Sequence, residues 1–145
     1  IFFDRLEMSH TVDFRDRLAI DDRTLSLADL LLEKMQIVDI SQKDFKDTAV
    51  LLLAHGIGED DRAINMDYIA AIMSDDWGFF HTFSTNLHKL KVALARFDSF
   101  AEEEKDIVRE RIDAILDRIN RVPKSLRWKA RARIGTRVKW YRHVD

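Results

Sequence analysis

The sequence has no cysteine, only one proline and four glycines, and no apolar run long enough to cross a bilayer. Without cysteine the chain can form neither a disulfide nor a thiolate metal site, which predicts a cytoplasmic protein. A membrane span needs about 20 mostly apolar residues, so we expect a soluble chain with no membrane partner. The hydrophobic share of 46% is too high for a disordered chain. The 145 residues therefore suit one compact domain, or one domain with a small appendage.

The net charge of −2 conceals an uneven distribution along the chain. Residues 1–120 carry 15 Lys and Arg against 25 Asp and Glu, whereas residues 121–145 carry nine Lys and Arg against one Asp. A basic end of this kind indicates an anionic partner. Cations interleaved with aromatic rings suit phosphate contacts and base stacking in nucleic acids. The candidate nucleic-acid-binding residues are Arg127, Trp128, Arg131, Lys139 and Trp140.

A second interpretation of the basic end is equally physical. The segment could pack on the acidic body of its own chain, with its aromatic rings in the core and its charges paired internally. Arg, Lys and Trp side chains commonly cover apolar surface in this way. The sequence alone leaves both interpretations open.

Hydrophobic spacing predicts a mainly α fold of the α+β class, with an N-terminal β-hairpin or strand remnant. Alternation over residues 11–18 is typical of a half-buried strand, which could pair with residues 1–8 in an antiparallel hairpin. An unpaired apolar strand there would invite a homodimer through residues 1–8. Residues 1–24 are thus predicted as a strand pair, 25–122 as a helical domain and 123–145 as a basic helix and arm.

The helical region is predicted to contain about five or six helices, including a long helical hairpin. Ser26, Ser41 and the Asp75-Asp76 pair are side-chain caps at predicted helix starts. Ser99 is predicted to cap the second helix of the hairpin, whose partner carries an apolar stripe from Phe80 to Phe97. The first helix is expected to run to about Val38, and the last residues to form a strand or an extended arm.

Lys34 is the residue most at odds with its predicted surroundings. With a step of about 100° per residue, Lys34 falls within the apolar arc of its helix, between Leu27 and Leu30. An unpaired buried ammonium is unfavourable, so Lys34 needs a carboxylate partner, a ligand phosphate or a route to solvent for its head group. Asp44 and Asp47 of the next helix are the candidate partners. Alternatively, these two acids are exposed and interact only with the helix dipole.

Two segments resemble nucleotidyltransferases of the AbiEii-type toxin group and their uncharacterised relatives. Residues 27–36 read Leu-Ala-Asp-Leu-Leu-Leu-Glu-Lys-Met-Gln, and residues 43–47 read Lys-Asp-Phe-Lys-Asp. The family has a helix that presents a lysine, followed by a motif like Arg-Asp-hydrophobic-x-Asp, with Lys43 here in place of the arginine. Residues 1–7 resemble the last strand of the family's catalytic sheet. The match covers roughly the first third of the chain.

This resemblance implies a binding role for particular residues. It implies that Lys34 contacts the phosphates of a nucleoside triphosphate, with Asp44 and Asp47 in support. It also implies that acidic residues hold Mg²⁺, with Asp4 as a candidate catalytic and metal-binding acid, although the acid could instead precede Ile1. The partners implied are a nucleotide and an RNA acceptor.

The sequence also departs from the family pattern. The Gly-Ser element and the Asp-x-Asp strand of the family are absent, and no Asp-x-Asp follows a Gly-Ser anywhere. We expect those parts to lie upstream of Ile1, which implies a piece of a longer protein. This chain alone is therefore expected not to transfer nucleotides. A non-catalytic helical interaction module with a basic nucleic-acid-binding or self-docking tail is the alternative.

Overall fold

A computed structural model describes residues 26–141 and the backbone of residues 5–7 and 11–13. The fold is mainly α, as predicted. Within the described residues the α-helices are α1 (Leu27–Met35), α2 (Gln42–Ala54), α3 (Met66–Met73), α4 (Trp77–Ala93), α5 (Glu102–Arg121) and α6 (Leu126–Ile134). Short 3₁₀ turns follow α4 and α6, at Leu94–Arg96 and Gly135–Arg137. No helix in the described ranges is both long and apolar enough to cross a membrane.

Two small strand pairs accompany the helices in the part of the chain that the structure describes. Strands β1 (Arg5–Glu7) and β2 (Thr11–Asp13) pair antiparallel, with Leu6 opposite Val12, which confirms the predicted hairpin for these residues. Residues 14–18 of the predicted strand lie outside the described residues. Strands β3 (Ile57–Gly58) and β4 (Ile64–Asn65) form a parallel pair that was not predicted, since two-residue strands have no detectable periodicity.

Side-chain caps fix the starts of most helices, as the sequence indicated. Ser26, Ser41, Asp76 and Ser125 each accept a hydrogen bond from a backbone N–H in the first turn of the helix that follows. The exception is α5, for which the predicted cap at Ser99 is wrong. This helix begins at Glu102, where the Glu104 carboxylate accepts the N–H of Ala101 at 2.8 Å.

The core lies where α5 packs against α2, α3 and α4, and where α1 packs against α2 and α4. The α4 stripe is buried at Phe83, Leu87, Leu90 and Leu94, as predicted, but its first member is Phe79 rather than Phe80. Phe80 is half-buried, and its ring packs against Trp128 of α6, with 5.3 Å between ring centroids. Aromatic contacts therefore hold α6 against α4.

The end of the described chain forms an irregular arm that is docked on the protein, rather than a strand. Gly135, with φ of 61°, ends α6, and the 3₁₀ turn and irregular residues 138–141 then lie along α4. The predicted strand around Val138 and Trp140 is therefore wrong for these residues. Val144, the last member of that alternation, lies outside the described residues.

Candidate functional site

Lys34 bridges the first two helices through a pair of carboxylates. Its Nζ lies 3.1 Å from Asp44 Oδ1 and 3.1 Å from Asp47 Oδ2. Asp47 Oδ2 also lies 3.0 Å from Nζ of Lys43, one turn earlier on α2. We call Lys34, Lys43, Asp44 and Asp47 the lysine cluster. The predicted contact of Lys34 with both acids is confirmed, whereas the roles of these residues in binding stay predictions.

Local sequence explains why the acids face α1. Ser41 caps α2 by accepting the N–H of Asp44 at 3.2 Å, and its hydroxyl donates to Asp44 Oδ2 at 2.8 Å. The other carboxylate oxygen of Asp44 is thereby turned toward Lys34. Asp47 follows three residues later and so lies on the same helix face. Between them, buried Phe45 anchors α2 in the core.

Burial and pairing act in opposite directions on the pKa values of this cluster. Burial alone would lower the pKa of Lys34, but hydrogen bonds to Asp44 and Asp47 raise it above its ordinary value. Burial would raise the pKa of Asp44, yet the bonds from Ser41 and Lys34 lower it below its usual range. The Lys43 and Lys34 hydrogen bonds likewise lower the pKa of Asp47. Lys34, Asp44 and Asp47 are therefore charged at neutral pH.

Lys34 keeps one hydrogen-bonding direction for a ligand. An ammonium has three N–H donors, and the two aspartates take two of them. The side chain is 33% exposed, and no third acceptor bonds it within the described residues. Its position near the C-terminal end of α1 also favours the positive charge through the helix dipole. The arrangement therefore leaves one N–H of a partly exposed lysine without an acceptor among the described residues.

Asn86 of α4 holds the end of the helix that carries Lys34, a role the sequence did not reveal. Its side chain is 1% exposed, and its Nδ2 donates to the carbonyl oxygens of Met35 at 2.9 Å and Ile37 at 2.8 Å. These bonds satisfy carbonyl groups left free where α1 ends, at Met35 rather than at the predicted Val38. Asn86 thus fixes the chain just after Lys34.

The acids nearest Lys34 are occupied by lysines, and the binding of Mg²⁺ stays a prediction. Mg²⁺ takes hard oxygen ligands in a near-octahedral arrangement. Asp44 and Asp47, the acids nearest Lys34, direct carboxylate oxygens at lysines instead. No group of three or more His, Asp or Glu residues converges within the described part of the chain. Asp4, the predicted metal-binding acid, lies outside the described residues, so its role and the predicted cleft toward it stay predictions.

The predicted nucleic-acid-binding residues Trp128 and Trp140 face the body of the protein. Trp140 Nε1 donates to Thr82 Oγ1 at 3.0 Å, and its ring meets the edge of His81 with 4.9 Å between centroids. The Trp128 ring packs on Phe80, and its Nε1 is buried. Both rings are therefore used in docking α6 and the following turn on α4, rather than presented for base stacking.

Two of the three predicted cationic residues are also engaged within the chain. Arg127 Nη2 pairs with Asp75 Oδ2 at 2.9 Å. Arg131 lies over the ring of Trp77, with 5.0 Å from Cζ to the centroid, and donates to the carbonyl oxygen of Gly135 at 2.7 Å. Lys139 is exposed and lies over the ring of Tyr141. Trp128, Trp140 and Arg127 therefore behave as the self-docking interpretation predicts. Not every cation of the segment is paired in this way.

Gly78 allows the close approach of the docked segment. A Cβ built there would lie 2.7 Å from the backbone oxygen of Trp140, nearer than real Cβ contacts. Beside it, a cavity of about 290 Å³ is lined by Asp76, Arg127 and Arg131 among others. The backbone of the segment thus lies directly against the backbone of α4. This close contact depends on Gly78, which has no side chain.

Comparison of this chain with protein-family models, with curated proteins and with solved structures found no match.

Proposed function

We propose that this chain is the helical portion of a nucleotidyltransferase-like protein, and that Lys34 donates to the phosphates of a nucleoside triphosphate. One observation carries the proposal. A lysine from the apolar arc of α1 is held by two aspartates of α2 and still keeps an exposed donor. The resemblance of residues 27–36 and 43–47 to the family supports the same assignment for these three residues.

The two anchors would prepare Lys34 for binding. A long, free lysine side chain loses rotamer entropy when it binds a ligand, and prior ordering reduces that loss. The lysine cluster has two positive and two negative formal charges, so its attraction for an anion comes from one directed donor rather than from net charge. We therefore expect weak binding of triphosphate to this chain alone, and no transfer without the absent Gly-Ser and Asp-x-Asp elements.

Lys34 and Lys43 provide a matched pair of variants for the test. Both contact Asp47, but the Lys43 side chain is 81% exposed, whereas that of Lys34 is 33% exposed between two helices. We would titrate ATP and inorganic triphosphate into the chain and follow the backbone amide shifts of residues 41–47 by NMR. Loss of a hydrogen bond between charged groups is worth about 1.5–3 kcal/mol. Lys34→Gln should thus weaken binding roughly tenfold or more.

The Lys43→Gln control should bind triphosphate within about twofold of the unchanged chain, an effect below 0.5 kcal/mol. Equal affinity of the Lys34→Gln variant and the unchanged chain would refute the assignment. Equal losses in the two variants would refute it as well, because they would indicate a general charge effect. ATP binding without inorganic triphosphate binding would show that the phosphates are not what the chain recognises.

A further inference from the structure

We propose that the outer face of α6 and of the turn after it binds the phosphate backbone of a nucleic-acid strand. This surface, the basic face, consists of Lys129, Arg133, Arg137 and Lys139, all of them exposed. Only Lys139 was among the residues first predicted to bind nucleic acid. The proposal that this surface binds nucleic acid stands by itself. Only the further role of the strand, as the acceptor of nucleotide transfer, rests on the proposed function.

The cations of the basic face lie on the outer side and at the C-terminal end of α6. Lys129 and Arg133 are four residues apart on α6, and beyond the helix end at Gly135 the Arg137 side chain reaches back to the carbonyl oxygens of Arg133 and Ile134. Four helical residues rise about 6 Å, and residues at this spacing share a helix face. The opposite side of α6 presents Trp128 and Arg131 to α4. Because this side of α6 packs on α4, the basic face on the other side is turned toward solvent.

Among the described residues, no carboxylate pairs with any of the four cations. No ion pair joins them to an acid within residues 26–141, and residues 121–144 contain no Asp or Glu. Arg137 donates to the backbone oxygens of Arg133 and Ile134, which leaves its charge uncompensated. By contrast, Arg121 and Arg127 of the same segment do pair with acids, Asp117 and Asp75. The acidic body thus neutralises only the inner part of the basic end.

The basic face, whose cations form no ion pair within the described residues, fits a polyphosphate backbone. Such a strand carries one negative charge per nucleotide along its whole length, and its binding releases condensed counterions. Trp128 and Trp140 are used in docking, so stacking on their rings, and any base preference from it, is not expected. The proposed interaction is therefore with the backbone and independent of base sequence. An acidic protein segment is the rival occupant, and the test includes it.

The test measures fluorescence anisotropy of a labelled oligouridylate with the full chain at several salt concentrations. For a single strand, the slope of log affinity against log salt is about −0.7 per phosphate contact, so four contacts predict about −3. The variant K129Q/R133Q/R137Q should bind about tenfold or more weakly at low salt, with a slope near −1. The three positions are exposed, so the fold should tolerate the changes, and circular dichroism checks it.

A matched variant, K46Q/K89Q/R96Q, removes the same charge from three other exposed cations that form no ion pair within the described residues. It should keep the affinity within about twofold and the steep slope. Three results would overturn the proposal: no salt-dependent binding by the unchanged chain, equal losses in the two triple variants, or tighter binding of polyglutamate than of oligouridylate. Lys34→Gln should leave oligouridylate binding unchanged, so failure of the nucleotide site is distinguishable from failure of the basic face.

Discussion

The lysine cluster and the basic face hold their cations in opposite ways. In the cluster, two lysines are matched by two aspartates across the contact between α1 and α2. In the basic face, four cations pair with no carboxylate among the described residues, and the ring of Trp128 packs their helix against α4. A neutral cluster can orient one donor at short range, whereas a set of unpaired cations attracts a polyanion from a distance. The two regions therefore differ in whether their cations are paired with carboxylates, more than in how many charges their sequences carry.

The largest effect is expected from breaking the support of the lysine cluster at Asn86. Asn86→Ala removes the donor to the carbonyl oxygens of Met35, where the bond is buried, and of Ile37, where it is partly buried. Unsatisfied buried groups cost about 1–3 kcal/mol each, so we expect the free energy of unfolding to fall by roughly 3 kcal/mol. Urea denaturation measures the change. Asn120→Ala is the control, because Asn120 is exposed on α5, and it should stay within about 0.5 kcal/mol.

If Asn86→Ala and Asn120→Ala destabilise the protein equally, the side chain of Asn86 is not what holds the end of α1. The basic face should be unaffected by Asn86→Ala as long as the variant is folded. Oligouridylate binding at low denaturant checks this independence of the two regions.

A smaller effect is expected from breaking the docking of the basic end at Gly78. Alanine is favoured over glycine in a helix by about 1 kcal/mol. Its Cβ would nevertheless lie 2.7 Å from the backbone oxygen of Trp140, and relieving such overpacking typically costs about 1–3 kcal/mol. Gly78→Ala should therefore release the segment after α6, shift the tryptophan emission to the red and speed cleavage by trypsin at residues 131–139.

Gly56→Ala is the control for this release. A Cβ at Gly56 meets nothing nearer than Arg111 Nη2 at 3.9 Å, an ordinary contact. Its emission and cleavage should match those of the unchanged chain. A Gly78→Ala protein with unchanged emission and unchanged cleavage would show that close backbone approach does not fix the segment.

The smallest effect is expected from pH, through His81. Burial lowers the pKa of His81, whose ring stacks on Trp77 and meets Trp140. The unfolded state then binds a proton more readily than the folded state, so stability is present above the ordinary histidine pKa of about 6.5 and declines as pH falls below it. The thermal midpoint measured between pH 8 and pH 5 should fall less in His81→Gln. Exposed His88→Gln should keep the full decline.

Equal pH dependence in His81→Gln and the unchanged chain would assign the decline to other groups. Asp44 and Asp47 contribute at lower pH, because their pKa values are lowered and their stabilisation is lost only as pH falls below the ordinary Asp value.

Local sequence predicted the helices and the pairing in the lysine cluster. A serine cap three residues before Asp44, and Asp47 one turn further on, place both acids on one face of the helix that follows Lys34. All of these residues lie within about 20 positions of one another. At this distance along the chain, the spacing in the sequence determines which helix face a residue occupies. The mainly α class followed from the same periodicity.

Contacts between distant residues could not be predicted in this way. Asn86 reaches carbonyls 49 and 51 residues away, and Trp140 reaches Thr82 at a separation of 58. Nothing in the local pattern specifies such partners. The contact of Phe80 with Trp128 of α6, beside the buried Phe79, is another partner that lies far along the chain. Such long-range contacts determine which cations of the basic end face the protein and which face solvent.

The most direct test of the account is a paired titration of the same four proteins with inorganic triphosphate and with oligouridylate. The proteins are the unchanged chain, Lys34→Gln, K129Q/R133Q/R137Q and K46Q/K89Q/R96Q. We predict that Lys34→Gln loses only triphosphate binding, that K129Q/R133Q/R137Q loses oligouridylate binding, and that K46Q/K89Q/R96Q keeps both. Parallel losses of the two ligands in every variant would contradict the account, because a single nonspecific charge effect would then explain both regions.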